Sequence, residues 1–158
     1  MAVRIVREHG EDILRERARP VKRFDDVLQR LIEDMFETMY HYHGIGLAAP
    51  QIGVPKRVIV MDADGVKLAL VNPEIIASDG EEVDTEGCLS VPGVYGQVKR
   101  SAEVVVRGLN PDGTVSELEA TALLARCLQH EIDHLDGVLF IDKAIELEPV
   151  AGSEAGSE

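Results

Sequence analysis

The stretch "LLARCLQHEIDHLDGVLF", residues 123–140, carries two histidines four positions apart, with a glutamate directly after the first. Its apolar residues Leu124, Leu128, Ile132 and Leu135 recur at helical spacing and read as a core-facing stripe. The pattern predicts a helix from about Ala120 through Leu135, stopping near Gly137. On such a helix His130 and His134 leave one face a turn apart, within reach of a single metal ion. Glu131 beside them can act as base on an attacking water. The motif alone also arises by chance, as two solvated polar residues. Its place on an apolar helix favours the metal reading, because ligation offsets the cost of burying polar groups.

Upstream, the signal is for strands. "RVIVMD" and "VKLALVN" flank Asp64-Gly65, a tight-hairpin dipeptide. "EEVDTEGCLSVPG", "VYGQVKR" and "AEVVVRGLN" follow, and "NPDG" at 110–113 turns the chain into a return strand, "TVSELEAT". Further back, Phe24, Val27, Leu28, Leu31, Ile32, Met35, Phe36 and Met39 recur at three and four. They predict an amphipathic helix from about Asp25 to His43. Pro20 argues against continuous helix before it. Between this helix and the strands, "GIGLAAPQIGVP" (44–55) holds three glycines and two prolines and reads as an apolar loop that packs inward or lines a pocket. Helix, strands, then helix give an α+β class in one domain over residues 1–147. The acidic, small-residue segment 148–158 reads as a disordered tail.

The net charge of −13 argues against nucleic acid or an anionic membrane surface as a direct partner. No segment approaches the roughly 18 apolar residues of a membrane helix. "MAVRIVREHGED" has scattered charges and no apolar core of a secretory signal, so the expected location is the cytoplasm. The two cysteines, Cys88 and Cys127, are too few for a disulfide framework and read as thiols or ligands.

A catalytic metal usually takes three protein ligands and leaves a position open. Phe140 stands where one zinc-peptidase pattern has its third histidine, and it cannot ligate. Glu146 and Glu148 lie in a segment with no helix of its own. Cys127 shares the motif's face but is seven residues from His134, about 10 Å along a helix axis at 1.5 Å per residue. Cys88, in "EGCLSVPG", has no such limit, and Gly87 beside it allows close backbone approach. The preferred set is Cys88, His130 and His134, with Cys127 as a small buried hydrophobe nearby.

Three segments, "GIGLAAPQ" (44–51), "EGCLS" (86–90) and "QHEIDHLDG" (129–137), resemble in order and spacing the signature motifs of peptide deformylases. The resemblance covers roughly residues 3–142. It implies antiparallel sheets around a central helix that carries His-Glu-x-x-His, and removal of the N-formyl group from formyl-methionine on nascent peptides at the ribosome exit. It implies one divalent metal ion on Cys88, His130 and His134, natively Fe2+, with Zn2+, Ni2+ or Co2+ able to substitute. It also implies Glu131 as general base, with the Gln51 side-chain amide and the Leu89 backbone N–H as donors to the oxyanion. Ile45, Gly46, Gly87, Leu123 and Cys127 would receive the substrate, with Gly46 letting its backbone pair as an added strand.

Around this set, Glu86 is expected to hold a ligand histidine. Asp133 is expected to pair with a base such as Arg100, and Arg126 to point outward. Tyr95 stands about where some members place an arginine near the substrate path. Some members dock on the ribosome through a basic C-terminal helix. Here "AIELEPVAGSEAGSE" has four glutamates and no lysine or arginine. A monomer is expected. Two other readings are an amidase or peptidase with the same site and another acyl group, and a closed structural metal site with Cys127 as fourth ligand.

Overall fold

A computed structural model describes residues 2–149. Asp25 opens helix α1 (Asp26–His41) by accepting the Leu28 N–H on its side chain at 3.1 Å, the usual service of an N-capping aspartate. The helix ends two residues short of the expected His43, which sits at a left-handed φ of 60°. Leu28, Leu31, Ile32, Met35 and Met39 form its buried face.

Among the described residues there are eight strands, six where the sequence pattern places them and two more, one before and one after these. Strands β1 (Gly46–Ala48), β2 (Val58–Ala63), β3 (Val66–Asp79), β6 (Glu103–Leu109) and β7 (Val115–Thr121) make one antiparallel sheet in the order β1-β2-β3-β6-β7. Strands β4 (Glu82–Cys88), β5 (Val91–Arg100) and β8 (Ala144–Pro149) make a second, in the order β4-β5-β8. The β2–β3 turn uses Asp64 and Gly65, both at positive φ (53° and 78°), as the twist of a two-residue hairpin requires.

The near-continuous apolar run of β2 has a structural reason. Ile59, Met61 and Ala63 pack with helix α2 (Ala122–Leu135) on one face of the sheet. Val58 and Val60 pack with α1 on the other. A strand covered on both faces loses the polar alternation of a half-solvated one. Helix α2 therefore lies centrally, with Leu124, Ala125, Leu128, Ile132 and Leu135 in the core. Gly137 ends it at φ 76°, where a Cβ would lie 2.5 Å from the Arg15 carbonyl oxygen, so only glycine fits. A third apolar cluster, from Leu14, Val91, Val98, Leu139 and Phe140, underlies the second sheet and contains no residue of α2. Phe140 opens the single-turn helix α3 (Phe140–Lys143).

Two expectations are corrected. "GIGLAAPQIGVP" is not wholly loop: Gly46–Ala48 pair with β2, and Ala49–Ile52 form a 3-10 turn. Three residues are too few to show a strand period in sequence. Likewise β8 runs through Glu148 and Pro149, two residues into the segment read as tail, because its edge pairs with Val94 to Val98 of β5. The rest of that segment, 150–158, lies outside the described residues. No helix among the described residues is long and apolar enough to cross a membrane.

Candidate active site

Cys88 ends β4 at an irregularity in the β4–β5 register, while His130 and His134 come from the middle and end of α2. Their ligand atoms, one sulfur and two ring nitrogens, all lie within 4.8 Å of one another. Cys88 Sγ is 3.3 Å from His134 Nε2. His130 Nδ1 is 2.9 Å from Glu86 Oε1, which leaves its Nε2 for the cluster. A thiol and two imidazoles at this mutual distance fit one transition-metal ion, the soft-to-borderline donor set that iron and zinc accept. Cys127 is not in the cluster. It is buried, with Sγ 3.8 Å from the Ile45 carbonyl oxygen, and burial, then the Glu131 charge, pushes its thiol pKa up.

Glu131 is buried, and one carboxylate oxygen has no hydrogen-bond partner. Burial raises its pKa to about 7, although His130 pulls the other way. A carboxyl so placed can hold a proton or release it near neutrality. Gly46 explains how it fits: a Cβ there would lie 2.6 Å from Glu131 Oε2 and 2.8 Å from Cys127 Sγ. Gly46 thus makes room within the site itself, a role beyond the expected approach of substrate.

Gln51 is held in the 3-10 turn by its own carbonyl oxygen, Oε1, which accepts the Ala48 N–H at 2.9 Å. Its Nε2 then donates to Ser90 Oγ at 3.1 Å and to Cys88 Sγ at 3.6 Å. Leu89 lies in the turn between β4 and β5, and its N–H takes part in no hydrogen bond among the described residues. The site opens into a cleft of about 760 Å³. Ile45, Gly46, Gly87, Leu123 and Cys127 line it, as does Tyr95. The Tyr95 ring rests on Gly87, where a Cβ would meet it at 2.7 Å. Ile45 and Leu123 are 45% and 42% exposed, so they are cleft wall and not core.

Glu86 is the hub behind His130. Burial opposes its charge, yet donors from Arg100 and His130 hold the carboxyl far below the usual carboxylate range. Arg100 also reaches Asp133 at 2.6 Å. Arg126, expected to point outward, is buried instead, because Glu86 and two main-chain carbonyl groups accept its guanidinium hydrogens. Sequence reasoning also missed Ser90, the N-terminal residues Ile5 and Glu8 that line the cleft, and Phe140, whose ring stacks on His130 at 6.2 Å. The sequence singled out Phe140 only as the residue standing where one zinc-peptidase pattern has its third histidine.

A partly buried cysteine-and-histidine set beside a buried, unpartnered carboxyl in a cleft fits the class of metal-dependent hydrolases. Residues 3–150 match the family model described as polypeptide deformylase. The peptide deformylase of Desulfitobacterium hafniense is 52% identical over 144 residues, 91% of this chain and 96% of that one. That of Acetivibrio thermocellus is 54% identical over 145 residues, 92% of this chain and 85% of that one. Among solved structures, peptide deformylase from Legionella pneumophila superposes with a TM-score of 0.88 at 50% identity, covering 90% of this chain and 86% of that one. The enzyme from Thermotoga maritima gives 0.89 at 46% identity, covering 91% and 99%. The chain belongs to the peptide deformylase family. It is an enzyme that removes the N-formyl group from the N-terminal formyl-methionine of newly made polypeptides and releases formate, and its family is metal-dependent.

Proposed function

We propose that Cys88, His130 and His134 hold the metal and that Glu131 is the general base of this deformylation. The observation that supports this best is the meeting of three ligand atoms within 4.8 Å beside a buried carboxyl with an unpartnered oxygen. When bound, the ion supplies Lewis-acid activation of water and of the formyl carbonyl. Glu131 takes a proton from the attacking water and later returns it to the leaving amine nitrogen. The Gln51 Nε2–H and the Leu89 N–H donate to the oxygen on which negative charge develops. Ile45, Leu123 and Cys127 receive the methionine side chain. Gly46 and Gly87 let the peptide backbone lie close.

Ferrous iron is the metal in the cell on this reading, with zinc, nickel or cobalt able to occupy the same donors. The enzyme works as a cytoplasmic monomer on chains leaving the ribosome.

The test is formate release from formyl-Met-Ala-Ser by nickel-loaded protein, with acetyl-Met-Ala-Ser as control and Glu131→Ala in parallel. Turnover of the formyl peptide alone, reduced about 100- to 10,000-fold in the variant, the usual scale of general-base loss, is expected. Wild-type rates in Glu131→Ala would remove the residue from the mechanism.

A further inference from the structure

The metal ligands stand on two bodies. Cys88 belongs to the three-stranded sheet; His130 and His134 belong to α2. The buried aliphatic side chains of α2 and of the three-stranded sheet fall in separate clusters, and the Phe140 ring, stacked on that of His130 at 6.2 Å, is an apolar contact between them. The apolar side chains of α2 are in the cluster shared with the five-stranded sheet, and the cluster under the three-stranded sheet has none of them. Polar side chains therefore carry much of the link between the Cys88 strand and the histidine helix.

Arg126 is placed to do so. It lies one turn before His130 on α2, so both side chains leave the same face. Its Nη1 donates to Glu86 Oε2 at 2.7 Å and to the Val98 carbonyl oxygen at 2.9 Å. Its Nη2 donates to the Glu82 carbonyl oxygen at 3.0 Å. One guanidinium thus grips β4 twice, through Glu82 and Glu86, and β5 once, through Val98. Glu86 is two residues from Cys88 and also meets His130 Nδ1 at 2.9 Å. Arg126 and His130, four residues apart, therefore share one carboxylate, and that carboxylate is on the strand that ends in Cys88. The side chains of Arg126 and Glu86 are 7% and 5% exposed, so water does not compete for these bonds.

We infer that Arg126 is a positioning residue that fixes the Cys88 strand against the histidine helix and so sets the geometry and affinity of the metal site. The inference rests on Cys88, His130 and His134 being the ligands. Lysine cannot replace arginine here, because one ammonium on a flexible stem does not match three acceptors spread around a planar guanidinium.

The experiment uses the full chain loaded with Co2+, read by its visible ligand-field bands, its thiolate-to-cobalt charge-transfer band and competition with a chelator. In Arg126→Met the Co2+ dissociation constant is expected to rise about 10–100-fold, the usual scale for removing outer-sphere support. The ligand-field bands are expected to shift while the charge-transfer band persists. Arg126→Lys should fall between Arg126→Met and wild type. Wild-type affinity and ligand-field bands in Arg126→Met, even with lowered thermal stability, would overturn the inference. If Arg126→Met does not fold, wild-type values in Arg126→Lys would overturn it equally. Failure of the wild-type chain to bind Co2+ with a thiolate band would instead remove the ligand set, and this inference with it.

Discussion

Arg100 closes on Glu86 with both arms: Nε donates to Oε2 and Nη2 to Oε1, each at 2.8 Å. Both side chains are buried, at 3% and 5% exposure. Glu86 also takes Arg126 and faces His130, so removing its charge leaves the buried Arg126 without a carboxylate and Arg100 with Asp133 alone. Breaking such a pair from one side costs about 3–5 kcal/mol. Glu86→Gln should lower the unfolding free energy of the metal-free protein by that amount, read by urea titration. A loss under about 1 kcal/mol would mean that water reaches the hub.

Gly46 is the tightest point of the site. Gly46→Ala puts a methyl 2.6 Å from Glu131 Oε2 and 2.8 Å from Cys127 Sγ. Both neighbours are buried and must shift by about an ångström, a displacement that can cost about 100-fold in rate. The expected result is a kcat/KM on formyl-Met-Ala-Ser lowered by that factor, with far-UV circular dichroism unchanged. Full activity would show that Glu131 tolerates displacement.

The N-terminal segment braces the oxyanion side. Arg7 N–H donates to the Gln51 carbonyl oxygen at 2.6 Å, and His9 N–H to that of Ser90 at 2.7 Å. The segment is anchored at Asp34, which accepts the Ala2 N–H at 2.7 Å and the Arg4 guanidinium at 2.7 and 3.0 Å. Burial opposes the Asp34 charge, but these donors outweigh it and lower its pKa. A lowered pKa stabilises the fold above the unfolded value, about 3.9 for aspartate, and that stabilisation fades as pH falls through the folded value. The stability gap between wild type and Asp34→Asn should thus be full at pH 7 and shrink below about pH 4. Amide exchange at Arg7 and His9 should quicken in the variant at neutral pH. A gap that does not vary with pH would mean that Asp34 acts by packing alone.

The two thiols should report the metal. Cys88 is partly exposed and Cys127 buried. Metal-free protein should take one iodoacetamide, at Cys88, and Zn2+ loading should block it, as mass spectrometry of the peptides would show. Labelling of Cys88 at the same rate with Zn2+ bound would argue against its being a ligand.

Much of this was legible in the sequence because each signal had one physical reading. The three-and-four period of Leu28, Leu31, Ile32 and Met35 admits only a helix, and Asp64-Gly65 between apolar runs admits only a tight turn. The spacing of His130 and His134 fixes them on one face whatever surrounds the helix. Arg126 was not legible, since its burial depends on three acceptors from distant strands. Strand β8 was hidden because an edge strand with exposed Glu146 and Glu148 has the composition of a tail. Ser90 became visible as a partner of Gln51 only when β4 and the 3-10 turn were brought together.

The most direct measurement is anomalous X-ray diffraction at the cobalt edge from crystals of the Co2+-loaded chain. One peak is expected, within bonding distance of Cys88 Sγ, His130 Nε2 and His134 Nε2, with a Glu131 carboxyl oxygen facing it but not bound. A peak elsewhere, or one that takes Cys127 as a ligand and leaves no open position, would contradict the catalytic site described above.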